Sequence, residues 1–152
     1  PEQVAEGQLL AARYESQQLE YGVAAYEKGD YATALNHFRP LADRGESAAQ
    51  FNLALMYENG RGVPKDYVQA RQWFEKAAVQ GNAGAQTNLG WWYANGKGGP
   101  QDDVEAHKWY NLAAANGEKK GAELRDALAK RMTSAQIAKA QQLAREWTPK
   151  TP

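Results

Sequence analysis

A 36-residue period constrains this chain more than any other feature. Tyr57, Gly60, Pro64, Asp66, Ala70, Trp73, Ala77 and Gly81 return 36 positions later as Tyr93, Gly96, Pro100, Asp102, Ala106, Trp109, Ala113 and Gly117. A fixed period of this length marks a stacked array, in which each unit buries its apolar face on the next and leaves an extended surface for another molecule. A looser copy lies upstream: Asp30, Tyr31, Ala34, Phe38 and Gly45 sit 36 positions before Asp66, Tyr67, Ala70, Phe74 and Gly81.

Each copy is punctuated as a helical hairpin. Ala49, Leu53, Met56 and Tyr57 are spaced for one buried helix face. Asn59-Gly60 and Gly62 then supply a turn at low conformational cost, Val63-Pro64 returns the chain, and Asp66 offers an N-cap. Ala70, Trp73, Phe74 and Ala77 face inward up to the stop at Gly81. The next unit repeats this with Ala85, Leu89, Trp92 and Tyr93, then Ala106, Trp109, Tyr110 and Ala113. Alanines let helices approach closely, and aromatics of the partner helix fill the space.

The ends differ. Residues 1–7 read as a frayed entry to a long helix over Gln8 to Glu27, with Leu10, Tyr14, Tyr21 and Ala25 on one apolar stripe. Asp30 caps a second helix faced by Ala34, Phe38 and Leu41, and Pro40 inside it is predicted to remove one backbone hydrogen bond and bend it. After Gly117 the period fails, since Arg125 stands where a leucine is due. A helix near Lys120 to Arg131, a Thr133…Gln136 capping box, and a last helix faced by Ile137, Ala140, Ala144 and Trp147 close the chain. The expected fold is an all-α solenoid of antiparallel helix pairs. Its divergent first unit covers 8–45, two regular units cover 46–81 and 82–117, and capping helices cover 118–148.

Composition removes several function classes. Eighteen basic and eighteen acidic residues cancel, so no long-range field gathers nucleic acid or an anionic membrane. The absence of cysteine excludes disulfides and thiolate metal sites. No apolar run approaches the roughly 18 residues of a membrane span.

The stretch from Ala49 to Val63, followed by Asp66, Ala70, Trp73, Lys76-Ala77-Ala78 and Gly81, resembles the Sel-one-like repeat (SLR), a relative of the tetratricopeptide repeat. The resemblance covers 46–117 well and 16–45 more loosely, and Met132 to Trp147 is similar to the helix that often closes bacterial members. It implies a right-handed superhelix and an adaptor role, in signalling, envelope assembly, host interaction or immunity to a toxic effector. Family habit, with a start at Pro1 and not at methionine, sets periplasmic or secreted as the expected location and cytoplasmic as the alternative. Two departures stand out. Gly99 replaces Val63, so a buried staple between helices is expected to be missing from the third unit, and Trp92 replaces Met56, adding bulk to the core.

Most notable residues read as structural. Gly60/Gly62 and Gly96/Gly98 lack the Lys-Ser or Lys-Thr of a phosphate loop and are turns. His37 holds the position of Trp73 and Trp109 and belongs to a helix interface, while His107 has no second ligand at helical spacing. The rival reading is an enzyme acting on cell-wall or β-lactam-like substrates, because some family members are linked to that chemistry. It needs Ser-x-x-Lys, and Ser16, Ser47 and Ser134 all lack the lysine. No cofactor or metal is implied.

The first helix of each pair lines the concave side in such superhelices. With Ala49, Leu53, Met56 and Tyr57 inward, its other face carries Phe51, Asn52 and Leu55, and 36 positions later Thr87, Asn88 and Trp91. These six form the candidate partner-binding site. Phe51, Leu55 and Trp91 would supply an apolar strip for a peptide or helix of another protein, and Asn52 and Asn88 would bond its backbone. Packing between units is the competing role, favoured at Phe51 and disfavoured at Trp91. A monomer is expected, with a dimer as the alternative.

Overall fold

The computed structural model describes residues 2–151, which form eight helices and no strand. They are α1 (Glu2–Glu27), α2 (Tyr31–Asp43), α3 (Ser47–Asn59), α4 (Tyr67–Ala78), α5 (Ala83–Asn95), α6 (Asp103–Ala115), α7 (Lys119–Ala129) and α8 (Ser134–Glu146). The first six pair as α1/α2, α3/α4 and α5/α6, and the second helix of each pair also packs against the first helix of the next. The fold is an all-α repeat solenoid.

Helix starts follow local chemistry. The side chains of Asp30, Asp66 and Asp102 accept hydrogen bonds from backbone N–H groups of the first turns of α2, α4 and α6, satisfying donors that the helix leaves open. Glu46 and Asn82 do the same for α3 and α5. Gly60 and Gly96 end α3 and α5 in the left-handed conformation. Gly62 and Gly98 also have positive φ, and a Cβ at either would collide with the carbonyl of Tyr31 or Tyr67 at the start of the preceding unit's second helix. These turns are therefore contact points between units as well as reversals.

The core is built as expected from small and large residues. Ala34, Phe38, Ala49, Leu53, Met56, Ala70, Phe74, Ala77, Ala85, Leu89, Ala106 and Ala113 are fully buried, and Trp73, Trp92, Trp109 and Tyr110 nearly so. The bulk of Trp92 is taken up edge-on by Tyr67 at 5.2 Å and by the ring of Phe74 at 6.0 Å. Tyr110, the mate of Phe74, fits because Gly90 stands where the previous unit has Ala54, and a Cβ there would lie 2.6 Å from the ring.

Recurring polar contacts lock the junctions. The buried Gln50 donates from Nε2 to the Ala42 carbonyl at 3.2 Å and accepts from Gln80; the buried Gln86 donates to Ala78 at 3.2 Å and accepts from Asn116. A cation sits over a tyrosine at two junctions, Arg61 over Tyr31 and Lys97 over Tyr67. At the third junction Asp103 takes the tyrosine's place and pairs with Arg131 at 2.7 Å.

Three expectations need correction. α1 is helical from Glu2, so the entry is not frayed; Pro1 lies outside the described residues. Its stripe of Leu10, Tyr14 and Tyr21 is exposed, and α1 packs on α2 through Leu19, Gly22, Val23 and Tyr26, with the Phe38 ring seated against Gly22. The staple lost at Gly99 is replaced. The Arg71 guanidinium occupies the space a side chain there would fill, donates to the carbonyls of Lys97 and Pro100, and lies 3.9 Å from the centre of the Tyr93 ring. Pro40 lies inside α2, as its place in the sequence predicts.

Beyond α6 the pairing rule changes. α7 packs on α6 as the first helix of a further unit would, but α8 also packs on α6. The two leave a cleft of about 480 Å³ lined in part by Asn111, Leu112, Ala122, Arg125 and Ala144. The capping box forms, with Thr133 and Gln136 bonding each other's backbone N–H. Trp147 closes edge-on over Trp109 at 6.1 Å, and the Lys150 N–H donates to the Val79 carbonyl at 2.7 Å.

Candidate partner-binding face

α3 and α5 carry the six candidate residues at equivalent positions. Phe51 is half-buried. Its ring meets Phe74 edge-on at 5.8 Å and leans over α5 at Gly84, so it packs between units. Leu55 is half-buried against the core. Trp91 stays open, 36% exposed, edge-on to Trp92 at 6.3 Å. Among the described residues Trp91 and Val68 are the exposed large hydrophobics outside α1.

The polar members are partly occupied. Asn52 donates from Nδ2 to the Ala48 carbonyl at 2.9 Å, and Asn88 to Gly84 at 3.0 Å. Thr87 donates to Ala83 at 3.2 Å. Each bond reaches one turn back along the residue's own helix, which fixes the rotamer. It leaves the amide's carbonyl oxygen and its second N–H free to meet a partner.

The structure adds neighbours that the sequence reading missed. Lys97 holds its ammonium 4.9 Å from the Trp91 ring and 5.2 Å from that of Tyr67, and the Lys65 ammonium lies 4.9 Å from Tyr67. Both lysines act on the half-buried Glu58, whose carboxyl burial pushes up while Lys97 and Lys65 pull it down. A hydrogen bond with Lys65 lowers the Tyr67 phenol. One end of the face is therefore a cluster of rings and ammonium groups around one carboxylate. The repeat carried a signal for it: Arg61 and Lys97, and Tyr31 and Tyr67, are spaced by the same 36 positions.

Such a surface suits recognition. An exposed indole beside a cation offers apolar area and a polar edge together, a common composition for a binding anchor. Among the described residues no three His, Asp or Glu side chains gather as a metal site requires. His37 bonds Gln18 at 2.7 Å within the α1/α2 interface, and His107 is buried in α6. No described helix is long and apolar enough to cross a membrane.

Comparison with known proteins agrees with this architecture. The Sel1 repeat model matches residues 8–46, 47–82 and 83–118. A protective antigen of uropathogenic Escherichia coli that displays an SLR fold superposes with a TM-score of 0.82 at 35% identity, over 87% of this chain and 29% of that one. A Sel1 repeat protein from Oxalobacter formigenes gives 0.68 at 37% identity, over 74% of this chain and 88% of that one. DAP3-binding cell death enhancer 1 of Rattus norvegicus is 47% identical over 45 residues, 30% of this chain and 9% of that protein. The chain thus spans a small part of that relative and under a third of the E. coli antigen. Sel1 repeat proteins are in general protein-interaction modules, and the fold typically serves as a non-catalytic scaffold. With three matched units over most of its length, the chain belongs to the Sel1 repeat family.

Proposed function

We propose that the chain is a non-catalytic adaptor that holds a segment of another protein on the face formed by α3 and α5. The observation that carries this reading is Trp91: the stacked units cover its equivalents in size, yet its indole stays open, 36% exposed, with the Lys97 ammonium beside it. Leu55 extends the apolar surface, and the carbonyl oxygens of Asn52 and Asn88 are suited to accept backbone N–H groups of a bound strand or helix. Phe51 supports the face from below. Lys65 and Lys97 favour an acidic residue next to the partner's apolar anchor.

The test is a quantitative pull-down with the intact protein against Trp91→Ala and Leu55→Ala/Trp91→Ala variants whose thermal unfolding stays near that of the parent. Partners recruited by this face should be lost from the variants. Equal recovery would assign recruitment to another surface.

A further inference from the structure

α1 is unlike the other first helices. It is 26 residues long where α3 and α5 are 13, and Glu2 to Tyr14 are exposed throughout. Five of the seven exposed large hydrophobics among the described residues lie on it: Val4, Leu9, Leu10, Tyr14 and Tyr21. Leu10, Tyr14 and Tyr21 share one side, opposite the Leu19, Val23 and Tyr26 face that packs on α2, although the Tyr21 ring still meets His37 of α2 at 5.8 Å.

The repeat register says what that side is for. Tyr14 is the mate of Gln50 and Gln86, which reach back to the carbonyls of Ala42 and Ala78 in the preceding unit. Tyr21 is the mate of Tyr57 and Tyr93, and each of those receives a guanidinium from the second helix of the preceding unit. Arg39 donates to the Tyr57 hydroxyl at 2.8 Å, and Arg71 lies 3.9 Å from the centre of the Tyr93 ring. α1 therefore presents the receiving half of such a junction, and among the described residues no donating helix lies against it. Charge narrows the occupant. α1 carries Glu2, Glu6, Glu20 and Glu27 against Arg13, besides Glu15, which pairs with Arg44 at 3.6 Å, whereas α3 has only Glu58 and α5 has no charged residue. Two copies of so acidic a helix repel, and a basic one is attracted.

We propose that the outward face of α1 is a second docking surface, which takes a basic amphipathic helix of another protein and stacks that helix's arginine on Tyr21. Leu10 and Tyr14 receive its apolar side chains, and the Tyr14 hydroxyl can donate to its terminal carbonyls as Gln50 and Gln86 do for theirs. This surface is distinct from the α3–α5 face, and the two stand or fall separately.

The probe is a labelled synthetic peptide with the sequence of residues 66–81 and Glu75→Lys, which keeps Arg71 and carries net positive charge, titrated into the full chain by fluorescence anisotropy. Saturable binding that weakens with salt is expected. Tyr21→Ser in the protein or Arg71→Ala in the peptide should each weaken it at least about tenfold, and Tyr21→Phe should retain most of it. Leu10→Ser and Tyr14→Ser, at side chains more than half exposed, give the same test without risk to the fold. Trp91→Ala should change nothing. No saturable binding to the folded chain, binding indifferent to Tyr21 and Tyr14, or loss on Trp91→Ala alone would each overturn the proposal. So would a concentration-dependent dimer abolished by Tyr14→Ser, which would give the face to a second copy.

Discussion

Trp109 shows how a single side chain ties α6 to the segment that follows α8. It projects from α6 into the core, is covered by Trp147 from beyond α8, and lies under the Lys108 ammonium at 4.5 Å. Its indole N–H, like that of Trp92, is buried without a hydrogen-bond partner among the described residues. Trp109→Ala should lower the unfolding free energy in urea by roughly 3–5 kcal/mol. Trp109→Phe should cost much less, because the orphaned N–H leaves with the ring it belongs to. His107 provides a pH test. Burial, then the nearby Arg125, holds its pKa below the usual 6.5, with Asp126 opposing them. The unfolded chain takes up this proton near 6.5 and the folded chain only at lower pH. The contribution is therefore present above 6.5 and lost as pH falls from there through the folded value. Urea midpoints should drop as the pH is lowered below about 6.5, and the drop should shrink in His107→Gln. At this scale the inward tryptophans were legible, because alternation of small and large residues at helical spacing leaves them nowhere else to go. The buried Gln50 and Gln86 were not, since polar residues on a helix read as solvent-facing until the carbonyls they serve are placed. Nor was the use Asn52 and Asn88 make of their own N–H groups.

Among the elements, the turns carry the information about stacking. Gly98→Ala should destabilise by more than the ~1 kcal/mol of a positive-φ penalty, because its methyl group would meet the Tyr67 carbonyl as well. The sequence marked these glycines as turns. It could not show that they also brace the preceding unit, since that depends on contacts between residues about 30 apart. The paired change from Leu35/Val63 to Arg71/Gly99 belongs here too. Read from one helix at a time, Gly99 is a loss; in space it makes room for Arg71 to bond the turn. Arg71→Leu alone should destabilise, and Arg71→Leu with Gly99→Val should recover part of the loss. The coupling in a double-mutant cycle should exceed about 0.5 kcal/mol. α1 is the instructive miss. Its apolar stripe was visible, but a stripe indicates a contact and not who makes it.

For the molecule as a whole, periodicity revealed the units, and its end concealed the closure. Past Gly117 there is no second copy to read against, so the packing of α8 on α6 had no counterpart in the sequence. That closure makes the two ends unequal. In an array coupled only between neighbours, either terminus can melt alone. Here the Lys150 N–H reaches the Val79 carbonyl of the second unit, past the whole third unit, and Trp147 covers Trp109 on the way. Releasing α8 therefore breaks contacts in two units at once, whereas the exposed beginning of α1 is held by nothing comparable. Hydrogen exchange should be fastest over Glu2 to Tyr14, and deleting residues 148–152 should raise it in α8 more than in α3. A bond that skips a repeat gives unravelling a preferred direction, from the acidic overhang inward.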